Sequence, residues 1–206
     1  MKALLRKVGF MTLAIPMFLM GSVTGASAAE DGYHEEEKTI QYWCDSVVDF
    51  QMPVTIKATV PDSVEPGGQV MFLNSTATVT LPENPAVNVL RGFPYYADSI
   101  TGEVTKFNIS SQNEASTINV ASTPIQIPKT TVPSSGSMTF TVPGNVGIDA
   151  GPFTAGQSGN LTITAGDIDT TVHPESFLGG IIPINASCSP LVGEDTVLTT
   201  VPIVED

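Results

Sequence analysis

The chain has 206 residues, 41% of them hydrophobic and only 14% charged, with 8 Lys+Arg against 21 Asp+Glu and a formal net charge of −13. A surface this acidic repels phosphate backbones and anionic lipid, which excludes the electrostatic footprint of a nucleic-acid binder. The length suits one domain with a full core rather than two.

Residues 1–28 read as a cleavable export signal. They have a basic start (Lys2, Arg6, Lys7), an apolar stretch from Phe10 to Met20, and small residues Ala26-Ser27-Ala28 at the cleavage position. Its removal leaves five basic residues (Lys38, Lys57, Arg91, Lys106, Lys129) against all 21 acidic ones. It also places the mature chain outside the cytoplasm, secreted or at the cell surface, where thiols oxidise. After Met20 no apolar run approaches the roughly 18 residues of a membrane span. Residues 29–38, with Glu35-Glu36-Glu37 after His34, are expected to form an acidic, solvated, flexible arm. A single β-sandwich domain is expected over residues 39–206.

From there the pattern is period two. Val54–Val60, Thr76–Leu81, Met138–Val142 and Leu161–Thr164 alternate apolar with polar residues, as half-buried strands require. Ile40, Tyr42 and Cys44 share one face, as do Ile182, Ile184, Ala186 and Cys188. Both cysteines therefore point to the buried side, which suits a bridge between the two layers of a sandwich, with two separate buried thiols as the alternative. One short helix is predicted over Ala86–Arg91, with Asn84 as its N-cap, Pro85 in its first position and Gly92 as its C-terminal cap. Gly144–Gly159 reads as a long surface loop. Turn chemistry at Glu65-Pro66-Gly67-Gly68, Pro133-Ser134-Ser135-Gly136 and Pro143-Gly144-Asn145 punctuates the strands. Outward positions carry threonine (Thr55, Thr78, Thr139, Thr141 among them), which β-propensity explains, with no repeat to hold the strands in register. Antiparallel strands with one wet face and almost no helix make an all-β sandwich.

The residues that could carry chemistry are few. If Tyr42 and Cys44 face inward, Trp43 faces outward and is a candidate partner contact, together with Tyr95 and Tyr96 in the loop after the helix. Asp167, Asp169, Thr171 and His173 would share one strand face; the two aspartates are a weak candidate for a hard cation, against the reading of an ordinary solvent face. No nucleophile elbow, phosphate loop, dinucleotide fingerprint or zinc-protease motif occurs. No catalytic residue, cofactor or metal is therefore assigned, and the chain is read as a non-enzyme.

Several pieces occur in a fixed order: Tyr42-Trp43-Cys44, the Val54–Pro61 strand running into Asp62-Ser63-Val64-Glu65-Pro66-Gly67, the helix ending at Gly92, and Ile127-Pro128 before Val132-Pro133-Ser134-Ser135-Gly136. Thr164-Ala165-Gly166-Asp167, Ser187-Cys188 and Asp195-Thr196-Val197-Leu198 complete the set. With the two cysteines, this order resembles a family of secreted β-sandwich domains of unknown function found in actinobacterial and related Gram-positive exported proteins. The resemblance implies an antiparallel immunoglobulin-like β-sandwich with one short helix and one disulfide. The functional expectation is a secreted, non-catalytic protein with a structural or adhesive role at the cell surface or in extracellular matrix. It would meet an unknown protein or cell-surface component, or associate with itself by strand addition. The alternatives are an inhibitor-like protein- or ligand-binding module and a secreted hydrolase with paired carboxylates.

Overall fold

A computed structural model describes residues 32–112, 116–176 and 182–205; the expected export signal and the first residues of the acidic segment lie outside the described residues. The strands are β1 (Tyr33–Asp45), β2 (Phe50–Pro61), β3 (Gln69–Leu81), β4 (Ser99–Ser111), β5 (Ser116–Asn119), β6 (Ile125–Thr131), β7 (Met138–Val142), β8 (Ile148–Thr154), β9 (Asn160–Glu175), β10 (Ile184–Pro190) and β11 (Val197–Pro202). They form one antiparallel sheet in the order β5-β4-β9-β10-β1-β2-β3-β7, with β11 added to β9, β6 to β4 and β8 to β3. The fold is thus all-β and sandwich-like, with one short helical segment among the described residues and a Cys44–Cys188 disulfide.

The two layers are parts of one curled sheet. Register shifts at Val104/Lys106 and Phe107/Ile109 between β4 and β9, and at Lys57/Thr59 between β2 and β3, bend these long strands. β9 serves both parts: its first residues pair with β11 and its later ones with β10. The main core lies between the layers, where Ile40, Tyr42, Val54 and Phe72 pack in one cluster with Ile109, Leu161, Ile163 and Val201. At the two ends of the curl β6 and β7 come close, yet among the described residues no ladder joins them.

The acidic segment is not a loose arm from Tyr33 onward. Tyr33 to Cys44 pair residue by residue with Pro61 to Phe50, and the Lys57 ammonium lies 3.0 Å from Glu35. Glu35 and Glu37 stay in water on one face of the strand, while Glu36 on the other face is half-buried. The Gly144–Gly159 stretch likewise contains β8, whose Ala150 and Phe153 enter the core, so it is not one long loop.

The disulfide also differs from the inter-layer bridge. Cys44 and Cys188 sit directly opposite each other on the adjacent strands β1 and β10. Inward-facing cysteines are compatible with either arrangement; neighbouring in the sheet is decided by topology, which period-two patterning does not encode.

The helical segment begins with a wide turn, Glu83–Val87, and continues into α1, Asn88–Arg91, with Gly92 as its C-cap. Pro82 caps the wide turn without a side-chain hydrogen bond, and Asn84 has extended backbone inside it, so the expected Asn84 cap gives way to another device. Glu83 accepts from the Gly136 N–H at 2.7 Å and from Arg91 at 3.1 Å, while the Arg91 guanidinium donates to the carbonyls of Pro133 (2.7 Å) and Gly136 (2.8 Å). These bonds hold the segment over the loop between β6 and β7. Val87 and Leu90 then bury beneath it with Ile100, Val132 and Met138.

Candidate functional site

Antiparallel pairing sends the connections 46–49, 82–98 and 132–137 to the same end of the sheet. At that end the layers separate around a cavity of about 140 Å³. Its wall is built by alternation: on β3, Ala77, Val79 and Leu81 point inward, and they meet Val104 and Phe107 of β4 and Val172 of β9. These six side chains face the interior yet are only half-buried, because the curl holds opposite faces too far apart to interlock. Val89 and Leu90 of α1 close part of the end, and Val47 and Val48 of the β1–β2 turn border the rest.

The lining is almost wholly apolar, its polar members being Ser46, Ser75, Thr76 and Thr170. Ser46 donates to the Asn185 carbonyl at 2.7 Å, which fixes the turn carrying Val47 against β10. No charged side chain lines the wall among the described residues. Such a surface can hold apolar matter away from water, and a hydroxyl can meet a single polar atom.

Trp43 projects outward from β1, opposite Gln51 and Ser189, and is 45% exposed. Tyr96 is exposed and Tyr95 half-buried in the connection after α1, where the exposed Phe93 ring meets Tyr96 edge-on at 6.3 Å. None of these aromatics lines the cavity. Asp167 and Asp169 do share a region of β9, with the Lys106 ammonium 3.8 Å and 3.6 Å from them and the Ser189 hydroxyl donating to Asp167 at 2.9 Å. The cation next to both carboxylates is thus the protein's own lysine. Among the described residues no group of three or more His, Cys, Asp or Glu could hold a metal ion.

The titration anomalies lie outside the cavity wall. Burial, and secondarily the Asp167 charge, pushes the Tyr42 phenol well above its ordinary range; its hydroxyl donates to the Gly166 carbonyl at 3.1 Å. Glu83 is held low first by the Gly136 N–H and then by Arg91. Glu175 is lowered by Lys129 and the Ser99 hydroxyl, and Asp195 by Lys38 and the Val197 N–H.

The cavity itself escaped the sequence reading. Its lining residues look like any inward strand positions, and whether two faces meet or part depends on curvature set by the bulges, which leave no local signature.

A family model described as a family of unknown function, DUF6801, matches residues 41–199. No curated protein and no solved structure matches the chain.

Proposed function

Starting from the fact that the chain belongs to the DUF6801 family of unknown function, we propose that it is a non-catalytic binding protein that carries an apolar ligand inside its curled sheet. The observation that carries this reading is the cavity of about 140 Å³ with an apolar wall and no charged group lining it. Interiors normally pack to crystal-like density, and an apolar cavity of roughly 150 Å³ suffices to take up benzene. The bridged cysteines and the signal-like first 28 residues support action outside the cytoplasm.

The test is a calorimetric titration with benzene. Saturable uptake at one site is expected, lost in Ala77→Phe, which fills the cavity from β3. Uptake unaffected by that substitution, in a variant that still melts cooperatively, would remove the cavity from the account.

The structural or adhesive role is a second reading, favoured by Trp43 and by the exposed Phe93 and Tyr96 rings as contacts for a surface partner. Capture of a purified matrix or envelope fraction, lost in Trp43→Ala, would support it. Retention equal to the parent protein's would discard those contacts.

A further inference from the structure

Resting on the binding reading above, we infer that the ligand is an uncharged apolar molecule or group of about benzene size, that it enters past Val47, and that carboxylate-bearing analogues are rejected.

The wall decides the charge. An ionised group moved from water into a site with no partner loses hydration that nothing replaces. The Thr170 hydroxyl, on the same face of β9 as Ile168 and Val172, can partly solvate a neutral polar atom, whereas a carboxylate needs a cation or several converging N–H donors. The wall supplies no cation. Arg91, on the helical segment that borders the cavity, spends its guanidinium on Glu83, Asn88 and the carbonyls of Pro133 and Gly136.

The rim decides the entrance. Of the described lining residues Val47 alone is exposed, 59% of it facing solvent. It stands in the turn Asp45-Ser46-Val47-Val48-Asp49, between two exposed aspartates. An anion approaching by this turn meets like charge before it reaches apolar surface, so rim and wall discriminate in the same direction. Size follows from the volume, which is close to that of cavities that admit one benzene.

The test follows methyl NMR signals of Val79, Val172 and Ile168 in the full chain during titration with toluene and, separately, with benzoate at neutral pH. The expected result is saturable shifts with toluene and binding of benzoate weaker by roughly tenfold or more. Equal affinities would overturn the charge inference and leave the binding reading standing. No shift with either ligand would overturn both. Val47→Asp, at an exposed position and in protein that melts like the parent, should slow or weaken toluene uptake; unchanged uptake rates and affinity would overturn the entrance. Ala77→Phe should abolish the shifts, and if it fails to fold, Val79→Phe is the second filling variant.

Discussion

Cys44 and Cys188 face each other across the β1–β10 ladder with their Cα atoms 4.0 Å apart, although 144 residues separate them in the chain. Their link fastens a strand near the start of the described fold to one near its end. Everything between them, including the cavity wall, lies within the closed loop. In the chain-entropy account, removing such a link costs about 4–5 kcal/mol. The Cys44→Ala/Cys188→Ala protein should therefore unfold at a much lower denaturant midpoint with a native-like far-UV spectrum beforehand. An unchanged midpoint would refute this.

A side chain at Gly102 should be costly. Gly102 is buried where β4 shifts register against β6, and a Cβ built there would approach the Thr171 carbonyl oxygen of β9 to 2.3 Å. Gly102→Ala must push the two strands apart, and the expected loss is about 2 kcal/mol, in the range of overpacked cores. Thermal unfolding measures it directly.

Arg91→Ala should loosen the helical segment. The guanidinium is mostly buried and bonds Glu83, Asn88 and two carbonyls of the β6–β7 loop. Losing these bonds, with the Pro133 and Gly136 carbonyls deprived of their Arg91 donors, should lower stability by about 2 kcal/mol. Arg91→Lys should recover little of this, since one ammonium cannot reproduce the fork.

Stability should fall at both pH extremes, for different groups. Glu83, Glu175 and Asp195 all titrate below their ordinary range in the fold. Their contribution is present above the ordinary carboxylate pKa of about 4 and is lost as the pH falls through the lowered folded values. The Tyr42 phenol is raised in the fold, so its contribution is complete below about pH 10 and declines as the pH rises beyond. Melting temperatures across the pH range should show both limbs, and Tyr42→Phe should flatten only the alkaline one.

Trp43→Ala should cost about 1 kcal/mol or less, because nearly half of this side chain already meets solvent. A larger loss of melting temperature would assign the indole to packing rather than to the surface.

Much of the fold was legible because burial imposes period two on any strand with one dry face. Val54–Val60 appears within β2, Met138–Val142 is β7, and Tyr42 and Cys44 are inward while Trp43 is outward. What patterning missed were pairings decided by distant partners. Glu35-Glu36-Glu37 looked like a solvated arm because its charge opposes burial, yet it needs only one neighbouring strand, and β2 supplies it. The threonines show the same limit. No sequence repeat marks them, yet Thr39 pairs with Thr55, Thr55 with Thr78 and Thr78 with Thr141, a single row across β1, β2, β3 and β7. The Asp167 and Asp169 pair was visible, but its companion Lys106 comes from another strand, and no spacing rule links it to them.

The place where β6 and β7 run close without a ladder gives this sheet a preferred line of breathing. Each strand is tied on its other side, β6 to β4 and β7 to β3, so a transient parting there severs no ladder and leaves the main core packed. Amide protons on the facing edges of Ile125–Thr131 and Met138–Val142 should therefore exchange with deuterium long before those of the β1–β2 ladder. In a sheet that curls back toward itself, that line is the seam its backbone leaves unstitched among the described residues.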